Sequence, residues 1–150
     1  MTDLSEKDKT ILIVDDTPEN IDILKGVLKE QYIIKAATRG SKALEIARTT
    51  PVDVILLDIM MPGMDGYEVC RALKADEVTK KIPVIFVTAL QETGDETSGF
   101  EAGAVDYITK PINAAVVRAR VRTHLALKEA QDALEEWNSR RPPCDNSGFY

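Results

Sequence analysis

The chain has 150 residues, 44% of them hydrophobic and 29% charged, with a formal net charge of −6. That composition supplies the core of one ordinary domain plus a helical extension, is too apolar for a disordered chain, and contains no apolar run near the roughly 20 residues of a membrane span. The acidic balance excludes non-specific nucleic-acid binding, and the polar start, Met1 to Thr10, is not a secretory signal. Cys70 and Cys144 share no CxxC spacing, which excludes a disulfide scaffold or zinc site and points to the reducing cytoplasm.

In chain order, Ile11–Val14 reads as a β-branched strand stopped by Asp15-Asp16. Thr17-Pro18 reads as an N-cap and first helical position, and Asn20 leaves the capping box incomplete. Ile21, Leu24, Val27 and Leu28 follow at helical spacing. Tyr32–Ala37 is a second strand, and Gly40-Ser41 opens a helix closed by Pro51. Val54–Leu57 is a third strand ending at Asp58. The loop Met61-Pro-Gly-Met-Asp-Gly66 leads into a helix bearing Val69, Cys70 and Leu73; Gly63 and Gly66 read as turn glycines. Pro83–Val87 and Val105–Ile108 are the fourth and fifth strands, ended by Thr88 and by Thr109-Lys110, with a polar helix over Glu92–Ala102 between them. A last helix runs from about Asn113 to Trp137. Five strands alternating with helices, apolar almost throughout, predict an α/β fold with a parallel sheet covered on both faces. The division expected is a flexible N-terminus over 1–9, a main domain over 10–127, a helical extension over 128–138, and a disordered tail or truncation stub over 139–150.

In an open parallel sheet, sites form beyond the carboxyl ends of the strands, where strand order reverses. Asp15 and Asp16 follow the first strand, Asp58 the third, Thr88 the fourth and Lys110 the fifth. Singly, each is an ordinary cap, turn former or solvated charge. Together they place three carboxylates at one edge, where two unit charges about 4 Å apart repel by roughly 4 kcal/mol at an effective dielectric near 20. An oxygen-ligated Mg²⁺, with Mn²⁺ as substitute, relieves that repulsion, and Lys110 adds a second counter-charge. A carboxylate among such cations can act as a nucleophile toward a phosphoryl group, forming an aspartyl phosphate.

These residues resemble the receiver domains of two-component response regulators. The matching pieces are Ile11-Leu-Ile-Val-Asp-Asp16, Val54-Ile-Leu-Leu-Asp-Ile-Met-Met-Pro-Gly-Met-Asp-Gly66, Pro83-Val-Ile-Phe-Val-Thr-Ala89 and Gly103-Ala-Val-Asp-Tyr-Ile-Thr-Lys-Pro111, in order over about residues 9–127. The resemblance implies a flavodoxin-like doubly wound sheet of order 2-1-3-4-5. It further implies Asp58 as phosphoacceptor, Asp15 and Asp16 as the acidic pair, and a metal held by Asp15, Asp16, Asp58 and the Met60 backbone carbonyl. Thr88 and Lys110 would bind phosphoryl oxygens, Tyr107 would be the switch aromatic paired with Thr88, and the Lys110–Pro111 peptide would be cis. The implied partner is a sensor histidine kinase or phosphotransfer protein, and the chain would be a switch and not an enzyme. Met60 and Leu90, two residues after Asp58 and Thr88, are both apolar, from which slow self-dephosphorylation is expected.

Leu127, Ala130, Leu134 and Trp137 recur at a/d spacing on the last helix, whose length exceeds the sheet. They predict a linker that pairs with its twin, a homodimer, and passes the switch to an output domain absent from this chain. Lys110–Glu136 resembles receivers that precede cyclic-di-GMP-related output domains. The sole histidine, His124, reads as a partly exposed helix residue, and Cys70 as core. Two other classes fit less well. An aspartate-nucleophile phosphohydrolase would place a second acid where Met60 stands and add a cap domain, and a flavodoxin-like flavin-binding module would want a hydroxyl-rich loop in place of Asp15-Asp16.

Overall fold

The computed structural model describes residues 8–89 and 102–140. Its strands are β1 (Thr10–Val14), β2 (Ile33–Ala37), β3 (Val54–Leu57), β4 (Val84–Thr88) and β5 (Asp106–Thr109). Its helices are α1 (Pro18–Leu28), α2 (Gly40–Thr49), α3 (Gly66–Ala75) and α4 (Ala114–Arg140). All the strands pair in parallel, in the order β2-β1-β3-β4-β5. This is the doubly wound architecture that the sequence predicts.

The alternation of side chains along each strand divides the core between the two faces of the sheet. Leu12, Val14, Ile55, Leu57, Val84 and Phe86 pack with Ala43 and Ala47 of α2 and with Val69, Cys70 and Leu73 of α3. Ile11, Ile13, Val54, Leu56, Ile85 and Val87 pack with Ile21, Leu24 and Leu28 of α1 and with Val117, Val121 and Leu125 of α4. Both sets are buried, which explains why the central strands read as unbroken apolar runs instead of alternating ones.

Element limits differ from the sequence reading by a residue or two, for identifiable reasons. Pro83 has no N–H to donate, so β4 starts at Val84, although the Pro83 carbonyl still accepts from Ile55 N–H at 3.0 Å. Thr88 and Thr109 pair across the β4–β5 ladder and so belong to the strands they were expected to end. The last helix continues past Trp137 to Arg140, taking in Ser139 and Arg140, the first two residues assigned to the tail. Ser139 Oγ donates to the Glu135 carbonyl at 3.0 Å, and Arg140 pairs with Glu136 at 2.9 Å. The expected helix over Glu92–Ala102, Leu90 and Cys144 lie outside the described residues, apart from Ala102, which is helical. Met1–Lys7 and 141–150 lie outside them too.

Candidate functional site

Register brings the site together. Val14 pairs with Leu57, so the residues following them leave the sheet side by side, and Asp58 N–H donates to the Val14 carbonyl at 2.9 Å. Asp15 N–H donates to the Ala37 carbonyl at 3.1 Å, which fixes the backbone from which its side chain projects. One oxygen from each of Asp15, Asp16 and Asp58 can be chosen so that all three lie within 4.8 Å of one another. Asp15 and Asp58 are buried, at 1% and 6% exposure, whereas Asp16 opens to solvent. On the far side, Lys110 N–H donates to the Thr88 carbonyl at 2.8 Å, tying the end of β5 to that of β4. Lys110 Nζ then reaches Asp15 Oδ2 at 3.2 Å and Asp58 Oδ1 at 3.8 Å. The Lys110–Pro111 peptide is cis.

The charges are unbalanced. Three carboxylates face one ammonium, and burial followed by the neighbouring Asp15 charge pushes the Asp58 carboxyl up to about 6. Lys110 and the Met60 backbone N–H pull it the other way without restoring an ordinary carboxylate, and Asp16 adds to the rise. The donor set is all oxygen, compact and open to water on the Asp16 side, which fits a hard divalent cation such as Mg²⁺ that retains part of its hydration.

Thr88 is buried at the end of β4, and Tyr107 is turned into the core with its ring centroid 5.6 Å from that of Phe86. Met60, two residues after Asp58, is 63% exposed. The exposed a/d residues of α4 lie well away from these groups, beyond Leu125, the last buried side chain of that helix. His124 is a partly exposed helix residue, as the sequence reads it: its side chain is 12% exposed, and its Nε2 lies 2.9 Å from Asp106 Oδ2. Arg120 Nη1 donates to both oxygens of the same carboxylate at 3.1 Å. Burial would raise the Asp106 carboxyl, but the bonds from His124, the Tyr107 N–H and Arg120 outweigh it and hold the group below the usual range.

Several contributors escape the sequence reading. Asp15 Oδ1 accepts from Thr17 N–H at 2.9 Å and from Asn20 Nδ2 at 3.4 Å, so Asn20 serves the acidic pair and not the helix cap. Thr17 occupies the N-cap of α1 but makes no side-chain cap bond. The complete capping box is instead Asp65 with Glu68 at the start of α3, 2.9 Å in each direction, and its D-x-x-E spacing was readable beforehand. Of the two loop glycines, Gly63 has the positive φ of a turn, 78°; Gly66 does not.

Comparison with known proteins agrees with this geometry. Residues 11–122 match the response regulator receiver domain family, and the chain belongs to it. A protein named a probable cyclic di-GMP phosphodiesterase from Vibrio cholerae is 49% identical over 138 residues, 92% of this chain and 31% of its own length. Response regulator PleD of Caulobacter vibrioides is 46% identical over 127 residues, 84% of this chain and 28% of its own. The chain thus spans less than a third of the length of these two relatives. Among solved structures, the receiver domain of a sensor histidine kinase from Pseudomonas aeruginosa, with a magnesium ion coordinated in its active-site cleft, is 29% identical. It superimposes with a TM-score of 0.74, covering 79% of this chain and 98% of that one. The chain is a receiver domain of the two-component response regulator family.

Proposed function

We propose that Asp58 accepts a phosphoryl group from a phosphohistidine of a sensor histidine kinase or phosphotransfer protein. The observation that carries this reading is a buried Asp58 sharing its site with two further carboxylates and with Lys110, whose Nζ lies 3.8 Å away. In the transfer, an Asp58 oxygen forms the new P–O bond while the donor's P–N bond breaks, and the departing imidazole takes up a proton. Asp15, Asp16, Asp58 and the Met60 carbonyl are the groups that would hold Mg²⁺, which when bound neutralises charge on the phosphoryl oxygens. Lys110 supplies a fixed positive charge beside the acceptor, and Thr88 a hydroxyl at the adjacent strand end. The resulting charge biases Thr88 and Tyr107, and with them the face carrying β5 and α4, toward a second arrangement.

In this reading the chain is an acceptor and a switch, not an enzyme with a separate substrate. Residues 10–127 are the receiver and 128–138 the linker. The name of the Vibrio relative supports a cyclic-di-GMP-related output for this receiver. Among the described residues no helix is long and apolar enough to cross a membrane.

The test is intact mass after incubation with acetyl phosphate, with Mg²⁺ or with chelator, on wild type and Asp58→Asn. A Mg²⁺-dependent gain of one phosphoryl group, lost in the variant, is expected. A gain that persists in Asp58→Asn would move the acceptor elsewhere.

A further inference from the structure

Gly66 is the first residue of α3, and it has no conformational need to be glycine. Its need is for space. A Cβ at position 66 would stand 2.4 Å from the Asp58 carbonyl oxygen and 2.7 Å from the Ile59 Cα, both backbone atoms that no side-chain rotation can move aside. In that cleared space Gly66 N–H donates to the Ile59 carbonyl at 2.8 Å. The capping box of Asp65 and Glu68 fixes the first turn of α3 behind it. The start of the helix therefore rests directly on the Asp58–Ile59 peptide. The next residue, Met60, places its backbone N–H on the Asp58 carboxylate.

Resting on the phosphoacceptor reading, we propose that Gly66 is a positioning residue for Asp58: the bare Cα lets α3 dock on the Asp58–Ile59 backbone and so sets where the acceptor carboxylate and the Met60 peptide stand. Any larger residue has to displace this segment to reach an ordinary contact distance. Displacements near 1 Å at a reacting group cost on the order of 10²-fold in rate.

Gly40 provides the control, because a Cβ there meets the same loop and helix without touching the acceptor backbone. Its nearest neighbours would be Val69 Cγ2 at 2.7 Å and Met64 Sδ at 3.0 Å, both side-chain atoms. The experiment compares wild type, Gly66→Ala and Gly40→Ala in the full chain. It follows the Met60 amide resonance, Mg²⁺ affinity by amide-shift titration, and the rate of phosphorylation by acetyl phosphate. Gly66→Ala is expected to move the Met60 resonance, weaken Mg²⁺ about tenfold or more and slow phosphorylation on the order of 10²-fold, with Gly40→Ala within about twofold of wild type.

A folded Gly66→Ala that matches wild type in Mg²⁺ affinity and rate overturns the proposal. So does a Gly40→Ala that loses as much, since the effect would then follow stability alone. If Gly66→Ala does not fold, Asp65→Ala decides: loosening the first turn should weaken Mg²⁺ about threefold in the same direction, and an unchanged affinity and Met60 resonance overturn the proposal. A wild type that takes up no phosphoryl group would instead fail the underlying reading, which keeps the two failures apart.

Discussion

At the scale of single residues, burial and like charge are concentrated on Asp58. Asp58, raised from 3.8 to about 6, holds its proton more tightly in the folded chain than in the unfolded one. Between about pH 4 and pH 6 the unfolded state therefore binds fewer protons, and stability falls as pH rises through that window. Above it, this group's contribution is constant. At 1.36 kcal/mol per unit the penalty at neutral pH is on the order of 3 kcal/mol. Asp58→Asn should thus raise the urea midpoint of the metal-free protein at pH 7 and remove most of its decline between pH 4 and 7. Mg²⁺ should restore the wild type while doing little for the variant. Parallel pH profiles for the two proteins in chelator would show that the carboxylate cluster carries no such penalty. Asp106 has the opposite sign: its lowered carboxyl contributes stability that is lost as pH falls, so the difference curve against Asp58→Asn is needed to isolate Asp58.

At the scale of elements, α4 has two parts with different jobs. Val117, Val121 and Leu125 bury the first half against the sheet, and no later side chain of the helix is buried. Beyond Leu125 the attachments to the body of the domain include two ion pairs at the surface, Lys9 with Glu129 at 3.2 Å and Lys81 with Glu135 at 2.5 Å. Such pairs add little to stability. A chain ending at Lys128 should therefore unfold cooperatively, with a Tm within about 3 °C of the full chain. A larger drop, or a broadened transition, would mean that the extension is part of the folding unit. The same division explains what the sequence could disclose. The strands and the acidic edge were legible because parallel ladders force apolar runs with polar residues at their carboxyl ends, so Asp15, Asp58 and Lys110 announce themselves, whereas the order of the strands came only from the resemblance to receiver domains. Asn20 and Gly66 did not, since their work is done through space: an amide reaching back to Asp15, and a missing Cβ against the Asp58 carbonyl. Nor could one sequence show that His124 would face Asp106 eighteen residues earlier, because that contact depends on how α4 lies along β5.

At the scale of the whole molecule, the acidic site and the exposed half of α4 must communicate if the domain is to report its phosphorylation. Between them stand Thr88 and Tyr107, on neighbouring strands, and Asp106, which is bonded to Arg120 and His124 of α4. Farther along that helix, Leu127, Leu134 and Trp137 are 51%, 61% and 58% exposed, at the a/d spacing of a paired helix. The flanking positions Ala126, Gln131, Ala133 and Asn138 carry no charge, so a second copy aligned in parallel meets no repulsion along the seam. A shift of the monomer–dimer balance from 1:99 to 99:1 requires about 5.5 kcal/mol of differential stabilisation, which a short seam must obtain from the switch as well as from its own apolar contacts. Light scattering in Mg²⁺ with and without beryllofluoride should therefore show a mass rising from near 16.6 kDa toward twice that value. Leu134→Glu combined with Trp137→Glu should stay monomeric in both conditions while still taking up one phosphoryl group from acetyl phosphate. A wild type that remains monomeric in both states at high concentration would remove the helix from the output pathway, and the face around β5 and Arg120 would then be the surface on which to look for the partner.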